Sequence, residues 1–126
     1  MGDAGSLSGQ ARWLLLAGAL LAATGVALGA FGAHALRETL GPQKLGTWNT
    51  AVQYQMWHAV ALIALSAVTQ PRMGLPAALL VAGTVLFSGS LYALALTGAR
   101  WLGPVTPIGG ALMIAGWAAL AWRATR

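Results

Sequence analysis

The chain has 126 residues, of which 58% are hydrophobic and only 7% charged, and it carries a net charge of +5 and no cysteine. That balance lies outside the range of soluble globular chains and points to a one-domain integral membrane protein. It excludes disulfides, thiolate chemistry and cysteine-ligated metal or iron–sulfur sites, and leaves no soluble portion to hold a nucleotide.

Four apolar runs follow one another, at 13–33, 48–69, 75–97 and 105–122, each long enough for a helix to cross ~30 Å of hydrocarbon. The expected fold is all-α: an antiparallel bundle of four transmembrane helices in a single domain, 13–126, with a short amphipathic segment after the first helix. Residues 1–12 are small, polar and rich in glycine and serine, which predicts a flexible tail. The first run is longer than the apolar core of a secretory signal, so it is expected to stay in the protein.

Within that first run Gly18, Ala22, Gly25, Gly29 and Gly32 fall within about 80° of one another on a helix. Such a smooth stripe lets a second backbone approach closely, whether from this chain or from another copy. His34 follows at the end of the run, about 160° away from the stripe. The connection 35–47 sets Leu36, Leu40 and Leu45 among Arg37, Glu38, Gln43 and Lys44. It reads as a turn of amphipathic helix, a stop at Gly41, and Pro42 leading into the next helix.

The second run is fully apolar only from Met56 onward, so a helix long enough to span must begin near Trp48 and carry Gln53, Tyr54, Gln55 and His58 with it. Tyr54, Gln55 and His58 share an arc of about 100°. Polar groups at membrane depth face the bundle interior and are candidates for function. The loop at 70–74, QPRMG, is a tight turn, and Pro76 suits the first turn of the third helix. In that helix Thr84, Ser88 and Tyr92 recur at i, i+4 and i+8. Thr84 is expected to bond its own backbone, whereas a buried Tyr92 hydroxyl needs a partner. Arg100, a Gly103-Pro104 turn, and Thr106-Pro107 as N-cap and first helical residue precede the fourth helix, which places Gly109, Met113, Gly116 and Leu120 on one face.

Four spans put both termini on one side. Trp13 and Trp122 mark one interface, Trp48 and Trp101 the other. His34, His58, Tyr92 and Arg100 are then expected in the same half of the membrane. The side with the termini carries Arg12, Arg72, Arg123 and Arg126 against Arg37, Lys44 and Arg100 on the other, which favours cytoplasmic termini.

Three motifs in order, GAFGAHAL at 29–36, TAVQYQMWHAVAL at 50–62 and SGSLYALALTGARWLGPVTPIGG at 88–110, resemble the YgdD-like family of small four-span membrane proteins. The family is also called domain-of-unknown-function 423, or the transmembrane protein 256 family. The match runs from about Gly25 to Trp117 and contains His34, Gln55, His58, Tyr92, Arg100, Thr106 and Pro107; Trp57 stands where a tyrosine or similar aromatic is expected. The resemblance implies a bacterial or mitochondrial inner membrane and implies no activity.

No phosphate loop, metalloprotease helix or nucleophile elbow occurs. The only carboxylate side chains, Asp3 and Glu38, lie outside the spans, so no general acid–base pair forms in the membrane. The residues thus name no catalytic group, no metal site and no cofactor, and the scattered basic residues suit lipid headgroups rather than nucleic acid. The function expected is that of a structural or accessory protein, binding a membrane partner or self-associating. The alternative is a lipid, quinone or haem-like ligand in a polar site on the side of the first and third loops, formed by His34, Gln55, His58, Tyr92 and Arg100.

Overall fold

Ser8 Oγ accepts a hydrogen bond from the Ala11 N–H at 3.1 Å, and this cap starts α1 (Gly9–His34) about one turn ahead of the apolar run. The computed structural model describes residues 7–68 and 71–126. Of the expected tail, residues 1–6 lie outside the described residues, and 9–12 are helical.

Residues 35–40 form a turn, closed by Gly41 at φ +77°, a left-handed conformation that glycine adopts without strain. Pro42 then occupies the first turn of α2 (Gly41–Leu65). The helix begins seven residues before Trp48, because its polar lead-in is stabilised locally: Thr47 and Thr50 donate to the carbonyls of Gln43 and Gly46 at 3.3 and 3.0 Å. Most of the expected amphipathic segment is therefore the start of α2. Its leucines, Leu36, Leu40 and Leu45, pack with Trp48.

A 3₁₀ turn at Pro71–Met73 leads into α3 (Gly74–Thr97), with Pro76 in its first turn. Gly98 at φ +68° ends α3, its N–H bonding the Leu94 carbonyl at 2.8 Å. A second 3₁₀ turn, Arg100–Leu102, precedes α4 (Val105–Ala124). Pro104, not Thr106, stands at the N-cap. The Thr106 hydroxyl is engaged elsewhere, 2.6 Å from Ser90 Oγ of α3.

Each helix runs antiparallel to the next and packs chiefly on its neighbours in sequence, so α2 and α3 form the centre while α1 and α4 flank them. The glycine stripe of α1 receives α2 of the same chain. A Cβ on Gly18 would lie 2.9 Å from the Ala59 carbonyl oxygen, and one on Gly32 would lie 2.5 Å from the Trp48 indole. Gly25 and Gly29 meet the side chains of Met56 and Val52 instead. The α3–α4 seam is as close. A Cβ on Gly83 would lie 2.6 Å from the Met113 nitrogen, one on Gly109 would strike the backbone of Phe87, and Gly116 lies against Leu80.

Two apolar clusters close the ends. Leu14, Leu62, Leu65, Ala77 and Leu80 fill the end near the termini, and Leu36, Trp48 and Ala95 fill the other. Among the described residues α1, α3 and the segment Arg100–Ala124 are long and apolar enough to cross a membrane. The 25 residues of α2 reach ~37 Å at ~1.5 Å each; Gln55 and His58 are buried between it and its neighbours, whereas Gln53 is exposed. The protein is an antiparallel four-helix membrane bundle.

Candidate functional site

The polar arc of α2 faces α3, and α3 divides it. Gln55 and His58 are about 60° apart on the helix, enough for one to enter the seam toward α1 and the other to enter the seam toward α4.

On the α1 side, Gln55 is only 4% exposed. Its Nε2 donates to the Leu21 carbonyl and to Thr24 Oγ1, each at 2.8 Å, and its Oε1 accepts from the Tyr92 hydroxyl at 2.6 Å. Both amide hydrogens and the carbonyl are thus used, and three helices are joined through one side chain. Trp48 seals this network from the loop end. Its ring meets that of Tyr92 edge-on at 4.7 Å, and its Nε1 donates to the Leu28 carbonyl at 2.8 Å. Ser88 adds an α3–α2 bond to the Ala51 carbonyl at 2.7 Å. Thr84, fully buried in the same seam, leaves its Oγ1 without a hydrogen-bond partner among the described residues rather than bonding its own backbone. A groove of about 200 Å³ runs over these residues between α1 and α3.

On the α4 side, His58 Nδ1 lies 2.7 Å from the Tyr54 carbonyl, and Nε2 lies 3.0 Å from Trp117 Nε1. A carbonyl only accepts and an indole N–H only donates, so the bonding pattern assigns the proton to Nδ1 and the lone pair to Nε2. The imidazole stacks on Tyr54 and tilts against Trp117. Tyr54, His58, Phe87, Met113 and Trp117 line a largely apolar cavity of about 250 Å³.

The five candidate residues thus occupy separate places. Gln55 and Tyr92 meet directly. His58 is buried on the other side of α3, and because α2 starts early it lies past the midpoint of its helix, toward the end with the termini. His34 and Arg100 are exposed at the far end and join neither network. Trp48, expected at an interface, is 2% exposed and internal. Thr24 and Trp117, the partners of Gln55 and His58, have no periodic signal in their apolar runs. No group of three metal-ligating side chains occurs among the described residues.

These features define a small multi-pass membrane protein in which Gln55, Tyr92, Ser88 and His58 hydrogen-bond across its own helices. Residues 28–110 match the family model described as "Protein of unknown function (DUF423)", and the chain belongs to that family. It is 47% identical over 109 residues to the UPF0382 membrane protein SH2409 of Staphylococcus haemolyticus, covering 84% of this chain and 89% of the relative. It is 43% identical over 111 residues to the UPF0382 inner membrane protein YgdD of Escherichia coli K12, covering 85% of each. With these relatives it is a multi-pass inner-membrane protein. No solved structure matches.

Proposed function

We propose that the protein is a membrane scaffold or accessory subunit that acts by lateral association, with a second copy or another membrane protein, and performs no chemistry of its own. The observation that carries this reading is the closure of these polar groups: Gln55 bonds α1 and α3, and His58 bonds Trp117 of α4 while its Nδ1 bonds the Tyr54 carbonyl of its own helix, all within one chain. Such bonds specify which helices pair. The glycine stripes are occupied internally as well. The outward surface is left to large apolar side chains, including Leu16, Leu20 and Val26 of α1, Trp57 and Val60 of α2, and Ile108 and Ile114 of α4, in the one medium where a lateral partner meets them.

The absence of cysteine makes the test direct. Single cysteines at Leu20, Val60 and Ile114 are oxidised or treated with short bis-maleimides in native membranes. A discrete larger adduct from one face, and not from the others, is the expected result. Monomer from all three positions would refute association.

A further inference from the structure

At the end of the bundle that carries the termini, the last turn of α4 meets the 3₁₀ turn before α3. Arg123 Nη1 donates to the Arg72 carbonyl at 2.6 Å, tying the two segments together. The Arg126 guanidinium lies 5.2 Å from the centroid of the Trp122 ring. Arg72, Trp122, Arg123 and Arg126 together line an open cavity of about 360 Å³ at the surface.

Three arginines line it, while the one acidic side chain among the described residues, Glu38, is on the turn between α1 and α2 at the opposite end. Like charges around one cavity repel, and an anion placed among them reverses the sign of the interaction. Guanidinium forks match the oxygens of a phosphate. The depth is also right for one. Trp122, 64% exposed at the end of α4, marks the level where headgroups meet hydrocarbon. Leu75, 51% exposed and three residues beyond Arg72, offers apolar surface in the first turn of α3.

We infer that this cavity binds the phosphate of an anionic glycerophospholipid, with Arg72 and Arg126 as the principal anion contacts, Arg123 fixing the cavity's shape, and Trp122 and Leu75 flanking the acyl chains. A basic pocket between membrane helices suits such a headgroup, and the apolar flank distinguishes a lipid from free phosphate. The site is independent of the lateral association proposed above.

The test is native mass spectrometry of the protein from nanodiscs containing equal amounts of phosphatidylglycerol and phosphatidylcholine. One retained phosphatidylglycerol per chain is expected, in preference to phosphatidylcholine and unaffected by millimolar inorganic phosphate. Each basic side chain near a headgroup contributes roughly fivefold, so Arg72→Gln with Arg126→Gln is expected to lower retention by roughly 30-fold. Arg37→Gln with Arg100→Gln removes the same charge at the other end and is expected to leave retention unchanged. Equal loss in both double variants would mean diffuse attraction and would overturn the site. So would unchanged retention in Arg72→Gln/Arg126→Gln, or displacement of the lipid by inorganic phosphate.

Discussion

Removing the Gln55–Tyr92 bond isolates the side-chain pair that links α2 to α3, beside the Ser88 bond to the Ala51 carbonyl. Tyr92→Phe deletes the hydroxyl that donates to Gln55 Oε1 at 2.6 Å and leaves a buried carbonyl oxygen without that donor. Gln55→Leu keeps much of the side-chain volume, so it opens little cavity, but it strands the Tyr92 hydroxyl. Thr24 is less affected, because its own hydroxyl still donates to the Leu20 carbonyl at 2.8 Å. An unsatisfied buried group costs about 1–3 kcal/mol in a soluble protein, whereas bonds between membrane helices average about 0.6 and reach about 1.7 kcal/mol. The geometry here is short and enclosed by Trp48, which favours the upper part of the membrane range. Reversible unfolding in mixed micelles, followed by circular dichroism, gives the double-mutant cycle. The pair Gln55→Leu/Tyr92→Phe should cost less than the sum of the single variants by about 1–1.7 kcal/mol. Strict additivity, to within about 0.3 kcal/mol, would refute a coupled network.

The glycine seams discriminate by position. Gly83→Ala and Gly109→Ala press a methyl group into opposing backbone and should each destabilise by about 1–3 kcal/mol, whereas Gly89→Ala meets nothing within 4 Å and should be neutral or stabilising by up to about 1 kcal/mol; thermal melts in detergent measure all three. At His58, glutamine retains a donor and an acceptor and leucine neither, so His58→Gln should melt above His58→Leu; the reverse order would mean that the Trp117 and Tyr54 bonds contribute little. Cysteines at Leu7 and Thr125 should react with an impermeant maleimide from one face of sealed vesicles and a cysteine at Thr39 from the other, and any other pattern refutes the four-span topology.

The features legible in the sequence are those set by local spacing. Hydropathy located the four helices, and the small-residue period of α1 marked Gly18 and Gly32 as a contact face before their partner was known. Tyr92 stood out because a buried phenol needs an acceptor, and Gln55 because its amide lies at membrane depth. What escaped depends on the order of helices around α2. The polar stretch before Trp48 hid the first two turns of that helix, which places His58 past the midpoint of α2 and away from His34 and Arg100. The Tyr54, Gln55 and His58 arc reads as one site in helical projection, but α3 docks along its middle and splits it. Gly83 has no stripe of its own, and its role exists only because Gly109 and Met113 face it across the seam. Trp117 and Thr24 sit in apolar runs where nothing in the pattern distinguishes a partner from a packing residue.

The most direct test of internal closure of the polar groups, with action by association, is native mass spectrometry after gentle extraction from the source membrane. The expected result is a discrete assembly larger than the 12.9 kDa chain, carrying phospholipid and no other small molecule, whose mass is unchanged by His58→Gln. A 12.9 kDa monomer that carries a stoichiometric quinone or haem, lost on His58→Gln while the fold persists, would contradict it.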